Sequence, residues 1–159
     1  MIMNEKTKQL LIYIIKKHPK CSITSLMKLT YLIDLIAVKT LKKQISNFRY
    51  KRYYFGPFSE MIYPYAEDLV SKKALVVENE YSSDGKEFVV YTIDSANDNE
   101  VFEKLSKKEK EIADELLESV KGYGARILTE IAYKTKPMIA LKAKIGNKEG
   151  LGKKLNLKA

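Results

Sequence analysis

The chain holds one cysteine, Cys21, and one histidine, His18, among its 159 residues. A lone cysteine cannot close an internal disulfide, which fits an intracellular protein. One His and one Cys cannot supply the three or four ligands of a usual zinc site. Nor is a Cys–His nucleophile built here, because no third group orients the pair. Long apolar runs are also missing. The richest, Leu29 to Val38, is ten residues long and contains Thr30 and Asp34, whereas a spanning helix needs roughly 20 apolar residues. The opening Met1-Ile2-Met3-Asn4-Glu5 lacks the basic region and small-residue cleavage site of a signal peptide. The expectation is a cytoplasmic protein with no membrane segment. Glutamine is scarce, at two residues, beside abundant lysine, a balance that leans towards a thermophilic source. The glycines and lysines of Gly146–Lys154 have the wrong spacing for a phosphate loop, lack a Ser or Thr after the lysine, and follow no strand. No cofactor is implied, and the reading is a protein that is not an enzyme.

What is present is a globular composition, 45% hydrophobic and 31% charged, in a chain of single-domain length. The net charge of +9 is unevenly spread. Residues 1–55 carry a net +10, residues 56–120 a net −9, and residues 121–159 a net +8. Such segregation predicts either two opposed surfaces or basic outer segments folded against an acidic middle.

Apolar residues at helical spacing, including Leu10, Leu11, Ile14 and Ile15, predict a helix over 5–17 that ends at His18-Pro19. Ser22 is the expected N-cap of a second helix running to about Leu41. That helix is apolar on nearly every side, as a central buried helix is. Residues 48–55, aromatic and basic, predict a strand ended by Gly56-Pro57. A helix over 59–73 follows, capped by Ser59, with Pro64 as a kink or as the true start. The runs 75–81 and 88–93 flank Asp84-Gly85 and predict a hairpin. Residues 95–100 read as polar loop. Ser106 with Glu109 forms a capping-box pattern for a helix to about Val120, and a last helix covers about 125–133, closed by Lys136-Pro137. The segment 139–159, basic and glycine-punctuated, is expected to be a loosely ordered tail on a single 1–138 domain.

Helix, helix, strand, helix and hairpin is the order of a winged helix, so the expected class is α+β, mostly helical, with a central buried helix and a hairpin wing. Many helix-turn-helix proteins bind DNA through the helix before the wing. Here that helix carries Glu60, Glu67 and Asp68 against Lys72 and Lys73, and the hairpin adds Glu78, Glu80, Asp84 and Glu87. An acidic element is poorly suited to a phosphate-lined groove. Nucleic acid, if bound, would meet the basic N-terminal region or the tail.

Lys28-Leu29-Thr30-Tyr31-Leu32-Ile33-Asp34 resembles the K-L-x-Y-x-x-D helix of the Panacea (antitoxin SocA-like) domain family, once filed as phage-associated proteins. Ile45-Ser46-Asn47-Phe48-Arg49-Tyr50 and the following Phe55-Gly56-Pro57-Phe58 are similar to that family's strand and its Y-G-P-V turn. Leu128, Tyr133, Pro137 and Met138 are spaced like its terminal L-x-x-x-x-H-x-x-x-P-W pattern. Phe55, Tyr133 and Met138 depart from the usual Tyr, His and Trp. The resemblance implies an antitoxin-like module that recognises and neutralises a toxin protein. The alternatives are a DNA-binding transcriptional regulator and a small scaffold protein from a mobile element.

The residues themselves narrow where a partner would bind. Asp34 lies in an apolar stretch and needs a partner of its own, since an unpaired buried carboxylate is costly. An internal ion pair with Lys28 or Arg49 is expected, the alternative being a contact to the binding partner. On strand alternation Phe48, Tyr50, Arg52 and Tyr54 share one face, and Arg49, Lys51, Tyr53 and Phe55 the other. One face goes to the core and leaves an exposed Tyr/Arg row, with Arg52 and Tyr54 as interface anchors or base-stacking groups. The expected partner-binding set is therefore Lys28, Tyr31, Asp34, Arg49, Tyr50, Arg52, Tyr54, Gly56 and Pro57, the last two as a turn.

Overall fold

The computed structural model describes residues 3–94 and 102–159. The expected polar loop at 95–100 lies outside them. Helix α1, Glu5–Lys17, is capped by the Asn4 side chain accepting from the Thr7 amide. It leads through β1, Cys21–Ser22, into α2, Ile23–Leu41, capped by Ser22. Strands β2, Lys51–Tyr53, and β3, Gly56–Phe58, form a small hairpin before α3, Ile62–Ser71. The long hairpin of β4, Leu75–Tyr81, and β5, Glu87–Ile93, comes next. Helices α4, Lys107–Ser119, α5, Ala125–Tyr133, and α6, Lys136–Ala140, complete the order. The protein is thus a mixed α+β fold with small antiparallel sheets. None of the described helices is long and apolar enough to cross a membrane.

Helix α2 is the centre of the fold. Every residue from Ser25 to Asp34 is buried, and the helix packs against α1, α4, α5 and β3. The sheet order β1-β5-β4 is antiparallel throughout, with Cys21 and Val77 flanking Tyr91 across the strands. The β4–β5 turn is the Ser82–Gly85 segment that Asp84-Gly85 predicts, closed by Ser82 and Lys86. The capping box of Ser106 and Glu109 forms at α4 as its spacing requires.

Four expectations change. The strand expected over 48–55 pairs only at 51–53. Ser59 does not cap α3: the helix starts at Ile62, Pro64 sits in its first turn where no amide is needed, and the Ser59 hydroxyl is buried without a hydrogen-bond partner. The helix expected over about 125–133 forms at those bounds but is not the last, since Pro137 lies in the first turn of a further short helix. The segment after 139 is not loose. The Arg52 amide donates to Lys153 O and the Gly152 amide to Arg52 O, the Leu155 amide donates to Tyr50 O, and Ala143 and Leu155 join the core. The final residues therefore edge β2 much as a third strand would.

Asp34 is fully buried, and neither Lys28 nor Arg49 pairs with it. Oδ1 accepts from the Ile45 and Ser46 amides at 2.9 and 3.0 Å, while Oδ2 accepts from the Ser46 and Tyr50 hydroxyls at 2.5 and 2.6 Å. Gln44 Nε2 adds a longer contact at 3.3 Å. Hydrogen bonds from a loop, not a countercharge, satisfy the carboxylate. Burial pushes the carboxyl up from 3.8 to about 6, and the Ser46, Tyr50 and Ile45 donors pull against that rise, so at neutral pH it is ionised.

A folded value above the ordinary one means that this group's stabilisation is full below about pH 4 and lost as pH rises through about 6. Between about pH 4 and pH 7.5 the wild type should therefore lose about 2–3 kcal/mol relative to Asp34→Asn in urea unfolding. A stability difference that does not move with pH would contradict the buried, titrating carboxylate.

Candidate functional site at the Tyr54–Phe55 turn

Tyr53 pairs with Gly56 across the small hairpin, so the connection is Tyr54-Phe55 alone. A connection this tight needs a residue that tolerates positive φ. Gly56 supplies it at φ +103, and a Cβ there would lie 3.3 Å from Cε2 of Tyr133. Two side chains from the helices fix the backbone of this turn. Lys28 Nζ, from α2, donates to Pro57 O at 2.9 Å, and the Tyr133 hydroxyl, from α5, donates to Tyr54 O at 3.0 Å. Lys28 is only 2% exposed. Burial lowers its ammonium to about 8, which leaves it charged and donating at neutral pH.

With the backbone clamped, the two turn side chains have nowhere to go but solvent. Tyr54 is 61% exposed and Phe55 77%. Behind them lies a hollow of about 280 Å³ whose wall includes Ile23, Met27, Tyr53, Phe58 and Tyr63. The rings there pack edge-on: Tyr53 and Phe58 centroids are 5.1 Å apart, and Phe58 and Tyr63 5.7 Å. Tyr63 itself is 49% exposed. Tyr54, Phe55 and Tyr63 thus form an aromatic surface that the chain leaves uncovered, and exposed clusters of this kind mark interaction sites.

The sequence-predicted residues separate into two groups. Lys28, Tyr54, Gly56 and Pro57 meet at the turn. Tyr31, Asp34 and Tyr50 lie in the core, where Tyr31 shares a 2.8 Å hydrogen bond with Thr135 and packs edge-on to Tyr50. Arg49 is exposed beside Lys42 and Lys43, away from the turn.

Arg52 corrects the expected Tyr/Arg row. The face of Phe48, Tyr50 and Arg52 is the core face, and Arg52 is 0% exposed. Its Nη1 donates to Tyr53 O at 2.5 Å, and its Nη2 reaches Asn147 O, Asn147 Oδ1 and Lys144 O at 2.8, 3.0 and 3.2 Å. The guanidinium also stacks 5.4 Å from the Tyr133 ring centre. It staples the C-terminal segment to the hairpin, which leaves Tyr54 as the one exposed member of its row.

Sequence reasoning missed Phe55 and Tyr63 as surface groups and Asn147 as the guanidinium's acceptor. Phe55 stood inside a quoted motif; Tyr63 and Asn147 carried no signal in the chain. The lone Cys21 is buried, and burial pushes its thiol up to about 12, which favours the protonated thiol at neutral pH.

Two substitutions test this geometry. Gly56→Ala should cost about 1–3 kcal/mol in thermal or urea unfolding, through positive φ and the Tyr133 ring; an unchanged midpoint would contradict the clamp. Arg52→Ala should speed tryptic cleavage among the lysines of 142–154 and cost about 3 kcal/mol, because buried carbonyls lose their donor. Cleavage at the wild-type rate would show that the guanidinium does not hold that segment.

Residues 26–137, more than two thirds of the chain, match the family model described as "Antitoxin SocA-like, Panacea domain". No curated protein and no solved structure matches the chain. The matched span runs from the first turn of the buried helix to α6 and takes in Lys28, Asp34, Gly56, Pro57 and Tyr133. The chain belongs to the antitoxin SocA-like Panacea domain family.

Proposed function

We propose that this protein is an antitoxin-like binding module that holds a toxin protein against the aromatic surface of Tyr54, Phe55 and Tyr63, without catalysis. The observation that carries this reading is Phe55, 77% exposed at the tip of a turn that is itself pinned from α2 and α5. An exposed ring on a rigid backbone loses little conformational entropy when it is buried against a partner. Aromatic anchors of this sort supply a large share of interface energy. The clamp residues Lys28, Gly56, Pro57 and Tyr133 all fall within the family match, which is consistent with a turn that belongs to the antitoxin-like domain.

On this reading the architecture is winged-helix-like, with α1, β1, α2, α3 and the β4–β5 hairpin in the corresponding order and the β1-β5-β4 sheet as the wing. DNA recognition through α3 is disfavoured by charge. Glu67 projects from it exposed, and Asp68 draws Lys8 and Lys72 into ion pairs at 2.9 and 3.2 Å. Those lysines are then not free for phosphates. The wing tip adds Glu80, Asp84 and Glu87.

The test is a pull-down with the tagged protein from its native cells, with and without nuclease and at low and high salt, beside a Tyr54→Ala/Phe55→Ala variant. One protein should be retained near equimolar ratio through nuclease and salt, and the variant should lose it by tenfold or more, worth about 1.4 kcal/mol. Nucleic acid that co-purifies and leaves as salt rises would instead favour the regulator. A protein retained equally by the variant would move the interface elsewhere.

A further inference from the structure

Two sets of lysines in this protein contrast in their surroundings. Lys6, Lys8, Lys17 and Lys20, from the N-terminal segment, each find a carboxylate: Glu109, Asp68, Asp114 and Glu80 at 2.9–3.7 Å. The acidic middle of the chain is thereby matched by the first basic stretch. The second set is not. Lys39, Lys42, Lys134, Lys136 and Lys158 ring a groove of about 680 Å³, and none of them forms an ion pair among the described residues. No aspartate or glutamate side chain lines the groove, and Ala159 sits among its five lysines, which outnumber any backbone carboxylate there.

The floor of the groove is apolar. Leu35 and Ile36 of α2 and Leu157 near the C-terminus are half-buried there, packed on the core below and open above. The rim continues past Lys42 and Lys158 into a second hollow edged by Lys43 and Arg49. The groove owes its existence to the ordered C-terminal segment, since Leu157 and Lys158 form one wall. It lies at the opposite end of α2 from the Tyr54–Phe55 turn. Thr24 lines the hollow behind the turn and Lys39 the groove, a separation of roughly 20 Å at 1.5 Å per helical residue.

We infer that this groove is a docking site for an acidic, amphipathic helical segment of a protein partner. Charge complementarity sets the sign: a ring of unpaired cations attracts glutamate- or aspartate-rich chain and raises the association rate. The floor sets the form. A concave apolar strip accepts leucine-like side chains at helical spacing, the helix-in-groove mode. Nucleic acid fits less well. Single strands bind by stacking bases on aromatic rings, and no aromatic residue lines this groove. Duplex is read by elements that protrude into its grooves, whereas this surface is recessed. The inference uses residues separate from the aromatic turn, so either can fail without the other.

The experiment titrates the full chain, by fluorescence anisotropy, with two labelled probes. One is a short synthetic helix with leucines along one face and glutamates elsewhere; the other is a short mixed-sequence DNA duplex. The acidic helix should bind at physiological salt and keep measurable affinity at raised salt through its leucines. Lys39→Glu/Lys136→Glu should weaken it on the order of tenfold or more. The control Lys86→Glu/Lys121→Glu, with the same change of net charge, should bind within about twofold of wild type, because both lysines are exposed and neither lines the groove. Circular dichroism of both variants should match the wild type. Three results would overturn the inference: no binding of the helix, equal loss in both double variants, or tighter binding of the duplex with a steep salt dependence.

Discussion

The constraint on which the rest of this structure depends is the carboxylate of Asp34, a charge with no countercharge in the middle of the most apolar helix. A buried ion pair would have tied it to one side chain. Instead the loop of residues 44–50 wraps around it and offers amides, hydroxyls and a carboxamide. That choice dictates where the loop goes. Once Ser46 and Tyr50 are drawn to Asp34, Phe48 and Tyr50 point into the core, and the strand after them must leave with Arg52 inward. Removing the charge would therefore release more than one contact, because the loop has no independent reason to adopt its path.

The residues that carry the family resemblance divide accordingly. Tyr31 and Asp34 organise the interior. Lys28, Gly56, Pro57 and Tyr133 hold up a turn. Tyr133, standing where the family often has His, still donates to the turn carbonyl through its hydroxyl and still packs its ring under Gly56 and beside Arg52. A single aromatic ring touches both the exposed turn and the guanidinium that staples the C-terminal segment. The two features are consequently mechanically joined, although one faces solvent and the other is sealed.

Much of the fold was legible because local signals and tertiary needs agree. The helical periods of α1, α2 and α4, the Ser22 cap, the capping box at Ser106 and the Asp84-Gly85 turn are set within a few residues of chain. The rest depends on distant partners. β1 is two residues long and is a strand only because Tyr91 and Val90 lie beside it. Residues 139–159 read as a tail because glycine and lysine dominate; their order comes from Arg52, nearly a hundred positions away. The candidate site was half legible: alternation grouped Tyr54 with Arg52, but the strand ends at Tyr53, so Tyr54 turns to solvent while Arg52 stays on the core face. Arg52 looked like a surface group because arginine usually is one, and its burial depends on acceptors at Tyr53, Lys144 and Asn147.

That staple also sets an order of events during synthesis. Arg52 belongs to the first third of the chain, yet the groups that neutralise its burial, Lys144 and Asn147, emerge from the ribosome far later. Until they do, the guanidinium stays in water, because burying it without acceptors would be costly. The hairpin can therefore take its sealed form only after residues 144–147 have been made. Loss of the segment that holds Lys144 and Asn147 would therefore act on a strand made far earlier in the chain.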